Sequence, residues 1–262
     1  MNVIRLMGGL GNQLFQYAFG KAMMQHGTDV RFNSKWYTSV KNAHRPYRLD
    51  KFYTDVPVGS FNHGIIYEKG VNKGKCDINL LKKDGYAFAG YWQYLTYFKS
   101  VIPILQKEIR VREEFYNEEF LSLREIIANT NSVGVHVRRG DYVIQRGFHD
   151  LPFDYYLRAL GNVKGDLFIF SDDIPWCREK FKESYFSCKI RFVSTVDYLD
   201  FELLKSCRHQ VTTNSTFSYW AALLNDNPDK IVVSPNRWLG DNIINDENRF
   251  PKEWIKIFDY VI

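Results

Sequence analysis

A chain of 262 residues, 45% hydrophobic and 25% charged, has ordinary soluble globular composition and room for one large domain or two small ones. Its net charge of +5 is a mild excess without a long basic run, which weakly favours an anionic ligand and falls short of a nucleic-acid footprint. No stretch approaches the roughly 18 uninterrupted apolar residues of a membrane span, and the start, MNVIRLMGG, lacks the basic flank, apolar region and cleavage site of a secretory leader. The 16% aromatic share suits cores and equally suits sugar-binding clefts, where a ring face packs on a pyranose. Cys76, Cys177, Cys188 and Cys207 form no C-x-x-C pair, so reduced thiols and a cytoplasmic enzyme are expected.

No internal repeat, low-complexity tract or linker interrupts the chain. Val3 to Leu6 reads as a strand, followed by a glycine-rich turn, MGGLGN. Leu14, Phe15, Ala18, Phe19, Ala22 and Met23 then fall at helical spacing, with Gly27 as a stop, and DVRF returns as a strand. From Asn33 to Asp84 periodicity is weak and short helices or irregular chain are expected. YAFAGYWQ reads as a strand and YFKSVIPILQKEIR as a helix kinked at Pro103. Beyond Ser132, SVGVHV, DLFIFS, KIRFV, HQVTT and KIVVS read as strands separated by four helical segments, the mark of a doubly wound parallel sheet. The pattern predicts an α/β chain of two Rossmann-like domains, residues 1–129 and 130–250, with 251–262 crossing back onto the first.

Ligands of open α/β sheets sit beyond the carboxyl ends of the strands, where three motifs fall. In HVRRGDY, two guanidiniums end a strand, and their forks match phosphate oxygens bidentately. Strand parity puts His136 and Arg138 on one face, with Arg138 toward the ligand; Arg139 braces the loop or reaches a second phosphate oxygen. The plain alternative is an Arg–Asp pair stabilising a turn. In FSDDIP, one aspartate can cap the helix opened by Pro175, and the other, Asp172 or Asp173, can take hydrogen bonds from a ribose or from guanine. In TTNSTFSYW, Asn214, Ser215, Thr216 and Phe217 begin a helix whose free amides suit an anion; an ordinary N-cap is the alternative. Together the three describe a nucleotide diphosphate site. The loop GGLGNQ is not the dinucleotide fingerprint, since Leu14 holds its third glycine position, and there is no P-loop GK[ST]. No D-x-D triplet and no zinc spacing of histidines occurs, so no metal is expected.

In order and spacing, GGLGNQLFQYAFG, GYWQ, HVRRGDY, FSDD, NSTFSYWAALL and SPNRW closely resemble the bacterial α-1,2-fucosyltransferases, over nearly the whole chain and least across residues 33–84. The resemblance implies a GT-B fold, two Rossmann-like domains facing a central cleft, and metal-independent, inverting transfer of L-fucose from GDP-fucose to O2 of a β-galactoside. It implies that the C-terminal half holds GDP, that Arg138 binds the β-phosphate, and that Gly9, Gly11, Asn12, Gln13 and Trp92 serve the fucose and acceptor, with Asn12 near the reacting centre. Asp141 is the first candidate for a general base, followed by His136 and Asp150; Asp141 could equally hold Arg139. No cofactor is expected beyond the donor GDP-fucose. A lipid-linked polysaccharide repeat as acceptor would bring the enzyme to the inner membrane peripherally. Competing readings are a fucosyltransferase of other linkage, such as protein O-fucosylation, or a non-catalytic nucleotide-diphosphate binder.

Overall fold

The computed structural model describes residues 1–39, 41, 44–60, 64–68, 76–140, 143, 150–238 and 248–258. The chain divides into two compact units, Met1–Arg112 with Asp246–Pro251, and Glu113–Asn245 with Lys252–Ile262.

The first unit is built on a parallel sheet of β1 (Asn2–Arg5), β2 (Val30–Asn33), β3 (Ile65–Tyr67) and β4 (Ala87–Ala89), in the order β2-β1-β4-β3. The helix Leu10–Gln25 crosses from β1 to β2 and buries the predicted Leu14, Phe15, Ala18, Phe19, Ala22 and Met23. It starts earlier than expected: Gly9 is its N-cap, so Gly11, Asn12 and Gln13 lie in its first turn and not in a loop. Pro103 opens the helix Ile102–Glu108 at a position where its missing N–H costs nothing, and the expected single kinked helix is three short pieces. β3 falls inside the stretch expected to be irregular.

Among the described residues the second unit carries six parallel strands: β5 (Ser132–Val137), β6 (Asp166–Ser171), β7 (Ile190–Val193), β8 (His209–Val211), β9 (Val232–Pro235) and β10 (Ile255–Ile257). Their order is β10-β9-β8-β5-β6-β7. The chain runs outward from β5 to β7, returns to the middle and runs outward again from β8. The order therefore reverses between β5 and β8, the switch point at which doubly wound sheets bind their ligands. Val133, Val135, Val137, Leu167, Ile169, Val211 and Val233 are buried sheet residues of the core, with Tyr155 and Tyr156 of the helix Phe153–Leu160 in the same cluster.

Three expectations are corrected here. The division falls after Arg112 and not near Asn129, because the helix Glu118–Ala128 packs on the helix Asp197–Ser206 of the second unit. The last strand, β10, pairs with β9 in register Lys256↔Ser234, so residues 252–258 complete the second sheet and the preceding Asp246–Pro251 joins the first unit. Finally, β5 has no wet face: all six of its residues are buried. Helix Asp197–Ser206 lies so close that a Cβ on Gly134 would meet Leu204 Cδ1 at 2.6 Å. The alternation in SVGVHV therefore separates two buried faces, and parity does not expose His136.

Candidate active site at the strand ends

Arg138 and Arg139 leave the end of β5, and Asp172 and Asp173 leave the end of its neighbour β6. The two pairs interlock. Arg138 Nη1 lies 3.0 Å from Asp172 Oδ2, and the main-chain N–H of Arg139 donates to Asp172 Oδ1 at 2.9 Å. Arg139 sends Nε to Asp173 Oδ2 at 3.1 Å and Nη1 to Asp150 Oδ2 at 2.8 Å. Its guanidinium also lies 4.3 Å from the centroid of the Trp176 ring, a cation–π contact. This is bracing geometry for Arg139. The Arg138 side chain, with Nη1 on Asp172, is the more exposed of the two, 29% against 18% for Arg139.

The aspartates divide the work that the sequence left open between them. Asp173 Oδ1 accepts the Trp176 N–H at 3.1 Å and caps the helix Ile174–Lys180, with Pro175 in its first turn. Asp172 has no capping duty, which makes it the nucleoside-reading candidate of the two.

Across the switch point, His136 Nδ1 sits 3.1 Å from Thr213 Oγ1, just beyond β8. The imidazole stacks on Phe217, centroids 5.2 Å apart and planes 26° from parallel. Burial first, and then the Arg138 charge, push the His136 pKa down to about 3, so the ring is neutral at neutral pH. A buried ring of such low basicity is poorly matched to general base work. Asp150, the other stand-by, is the ion-pair partner of Arg139. Asp141 lies outside the described residues.

The helix Thr216–Leu224 begins at the same edge. Ser215 Oγ accepts the Phe217 N–H at 3.3 Å, so the N-cap alternative holds for that residue. Ser218 Oγ accepts the Thr213 N–H at 3.2 Å and donates to Ser215 O at 3.3 Å, tying strand end to helix start. Asn214 and Ser215 are buried, while Thr216 and Phe217 are half-buried and present the accessible part of the motif. Sequence reasoning passed over Ser218 and Trp176. The signals were a second serine three places after Ser215 and an aromatic residue one helical turn after the aspartates.

In the first unit, Gly8 has φ +81°, and a Cβ there would lie 2.7 Å from Asn12 Nδ2. Only glycine fits this turn, and it lets Asn12 close over the turn. Asn12 Oδ1 accepts from Gln93 Nε2 at 2.9 Å. Gln13 is a fastener: Nε2 donates to Gly8 O at 3.1 Å and Pro46 O at 3.0 Å, while Oε1 accepts from the Arg48 N–H at 2.9 Å. Gly11 is buried within the helix, so Gly9 is the more accessible glycine of the pair.

Trp92, assigned to substrate from the sequence, is a core residue. It is 1% exposed and stacks on Phe19, with centroids 4.5 Å apart and planes at 9°. Its backbone takes φ +55°, uncommon for a bulky side chain, and Glu68 holds it there by accepting the Tyr91 N–H at 2.7 Å and the Trp92 N–H at 3.1 Å. Arg249 Nη1 donates to Gln93 O at 3.2 Å and its guanidinium lies 4.0 Å from the Tyr94 ring centroid. Glu68 and Arg249 went unremarked in the sequence, and Gln93 entered only as the end of GYWQ, because nothing local marks a brace that is assembled from three distant segments.

Among the described residues no helix is long and apolar enough to cross a membrane.

The glycosyl transferase family 11 model matches residues 76–258. The chain is 31% identical to an α-1,2-colitosyltransferase of Escherichia coli, over 97% of this chain and 98% of that protein. It is 28% identical to the O-antigen biosynthesis glycosyltransferase WbnK of Escherichia coli, over 96% and 99%. To galactoside α-(1,2)-fucosyltransferase 2 of Rattus norvegicus it is 30% identical, over 65% of this chain and 53% of that one. The crystal structure of NodZ α-1,6-fucosyltransferase soaked with GDP-fucose aligns with a TM-score of 0.52 at 15% identity, covering 85% of this chain and 92% of that one. That likeness is one of fold, and two parallel α/β units are the make-up of the expected GT-B class. The family model spans well over half of the chain, and the protein belongs to glycosyl transferase family 11.

Proposed function

We propose that the protein is a galactoside α-1,2-fucosyltransferase: it moves L-fucose from GDP-β-L-fucose to O2 of a terminal β-galactose with inversion, in the synthesis of a surface polysaccharide such as O-antigen or capsule. The observation that carries this is the pair Arg138–Asp172 at the ends of β5 and β6, next to the switch point between β5 and β8, with a helix start and a neutral histidine beside it. In the reaction the bond from C1 of fucose to the β-phosphate oxygen breaks as O2 of galactose bonds to C1. The bonding pair leaves with GDP. Arg138 donates to the phosphate oxygens as charge gathers there, and charge-assisted bonds of this kind contribute about 1.5–3 kcal/mol each. Arg139, pinned by Asp150 and Asp173, fixes the loop that aims Arg138. Arginine and helix amides take the neutralising role that a divalent ion has in metal-dependent transferases. The O2 proton passes to a carboxylate or to solvent, with Asp141 the first candidate, and a loose transition state asks little of that base.

The colitosyltransferase relative, matched along nearly its whole length, favours a second reading in which the donor sugar is colitose, which is fucose without its 3-hydroxyl. Purified protein incubated with GDP-fucose or GDP-colitose and several β-galactosides, with the product linkage read by NMR, separates the two. A higher kcat/KM for GDP-fucose and a 1→2 product support the first reading. Preference for GDP-colitose replaces it with the second, and a product linked elsewhere than O2, or GDP binding without transfer, contradicts both.

A further inference from the structure

We infer that Trp36, Tyr37, Tyr47, Tyr91 and Arg45 form the subsite that receives the acceptor's sugar ring, an inference that rests on the transferase reading above. Tyr37 and Trp36 lie on the short helix Lys35–Thr38, directly after the carboxyl end of β2, and Tyr91 follows the carboxyl end of β4. β1 ends two residues before the Met7–Gly9 turn. Because the sheet is parallel, these ends share one edge, the edge at which open α/β sheets take ligands.

Tyr37 and Arg45 reach that turn, and Trp36 and Tyr47 pack on Tyr37. Tyr37 Oη donates to Gly8 O at 3.0 Å. Arg45 Nη1 lies 3.4 Å from the point where Gly9 would carry a Cβ, so the guanidinium covers the glycine. The Tyr37 ring meets Trp36 edge-on at 5.0 Å and Tyr47 at 5.6 Å, centroid to centroid. Arg45, Tyr47 and Tyr91 all lie close enough to Tyr37 to influence its ionisation.

These rings are not core. Phe15, Phe19 and Trp92 of the same unit are fully buried, whereas Trp36, Tyr37, Tyr47, Tyr91 and Arg45 are each half-buried. Burial holds the Tyr47 phenol up at about 12 and raises that of Tyr91, so both are neutral O–H groups at working pH. A contiguous, half-exposed aromatic set with phenol and guanidinium donors at its margin fits a neutral pyranose: ring faces take the C–H face, and the donors take hydroxyl oxygens.

The test uses the full chain with GDP-fucose, lactose as acceptor, and the variants Trp36→Leu, Tyr47→Leu and Arg45→Gln. Two parent activities are compared: transfer to lactose, and release of GDP when water alone is the acceptor. The expected result is a rise of tenfold or more in the KM for lactose, with GDP affinity and the water reaction within twofold of the parent. For a variant that melts early, Trp36→Phe serves instead: lactose should change the tryptophan fluorescence of the parent and leave that of the variant unchanged. An active parent whose variants keep the lactose KM within twofold, or lose GDP affinity in step with it, overturns the inference alone. A parent that neither binds GDP nor transfers fucose removes the underlying reading and the inference with it.

Discussion

Arg138 and Asp172 stand 3.0 Å apart at the ends of adjacent parallel strands, each presented by a strand whose register is fixed residue by residue, Val137 opposite Ser171. Asp172 also accepts the Arg139 N–H, while the neighbouring Asp173 is spent on a helix cap and on the Arg139 side chain. Asp172→Asn should therefore weaken GDP binding by tenfold or more with a small change in melting temperature. Asp173→Asn should cost about 1 kcal/mol of stability through the weakened cap, with the smaller effect on GDP. Calorimetric titration with GDP, UDP and ADP checks this; parent-like GDP affinity in Asp172→Asn would give the nucleoside-reading role to other groups.

His136 makes stability depend on pH. Its folded-state pKa, about 3, lies below its ordinary value of 6.5, so in that window the unfolded chain binds a proton that the folded chain refuses. The sign follows: this contribution is complete above about pH 6.5 and is lost as pH falls toward 3. Burial raises the pKa values of Glu68 and Asp200, which act in the opposite sense, so the difference between parent and His136→Asn is the readout. Melting curves from pH 7.5 to 4.5 should converge on acidification, the parent losing more than the variant. Parallel curves would mean that His136 titrates normally.

Trp92 should behave as core. Full truncation of such a residue costs about 3–5 kcal/mol, and Trp92→Phe should lose a fraction of that while the KM for donor and acceptor stay within twofold. Thermal melts and steady-state kinetics on the same preparation suffice, and a KM that moves with an unchanged melt returns Trp92 to the substrate site.

Turnover should be unchanged in EDTA, since arginine and helix amides are proposed to meet the diphosphate charge. Activity abolished by the chelator and restored by magnesium or manganese would overturn that division of labour.

The sequence made β5, β6, β7, β8 and β9 legible because buried parallel strands with short connections leave dense apolar runs between helical stripes. It did not reveal β3, an edge strand with Ile65 and Tyr67 exposed, since no apolar pattern marks a strand with so little to bury. Nor did it reveal β10, whose Ile255 is exposed and whose residues follow a short excursion into the other unit. At the site, the sequence named residue types and not their geometry. Two arginines suggested a phosphate partner and two aspartates a nucleoside one, but identical neighbours such as Asp172 and Asp173 differ only in what the fold puts opposite them. Trp92 shows the same limit: a tryptophan in a glycine-flanked turn looks the same in sequence whether it faces a sugar or Phe19.

The central claim is that Arg138 meets the leaving diphosphate while Arg139 holds the loop, and one paired measurement tests it: transfer kinetics and melting curves of Arg138→Lys and Arg139→Lys. Lysine keeps the charge and loses the planar fork. Arg138→Lys should lower kcat by two decades or more, about 3 kcal/mol of transition-state stabilisation, with folding nearly intact. Arg139→Lys, which loses its contacts to Asp150, Asp173 and Trp176, should cost less in rate and more in stability. An inactive Arg139→Lys beside an Arg138→Lys that turns over normally would contradict the account.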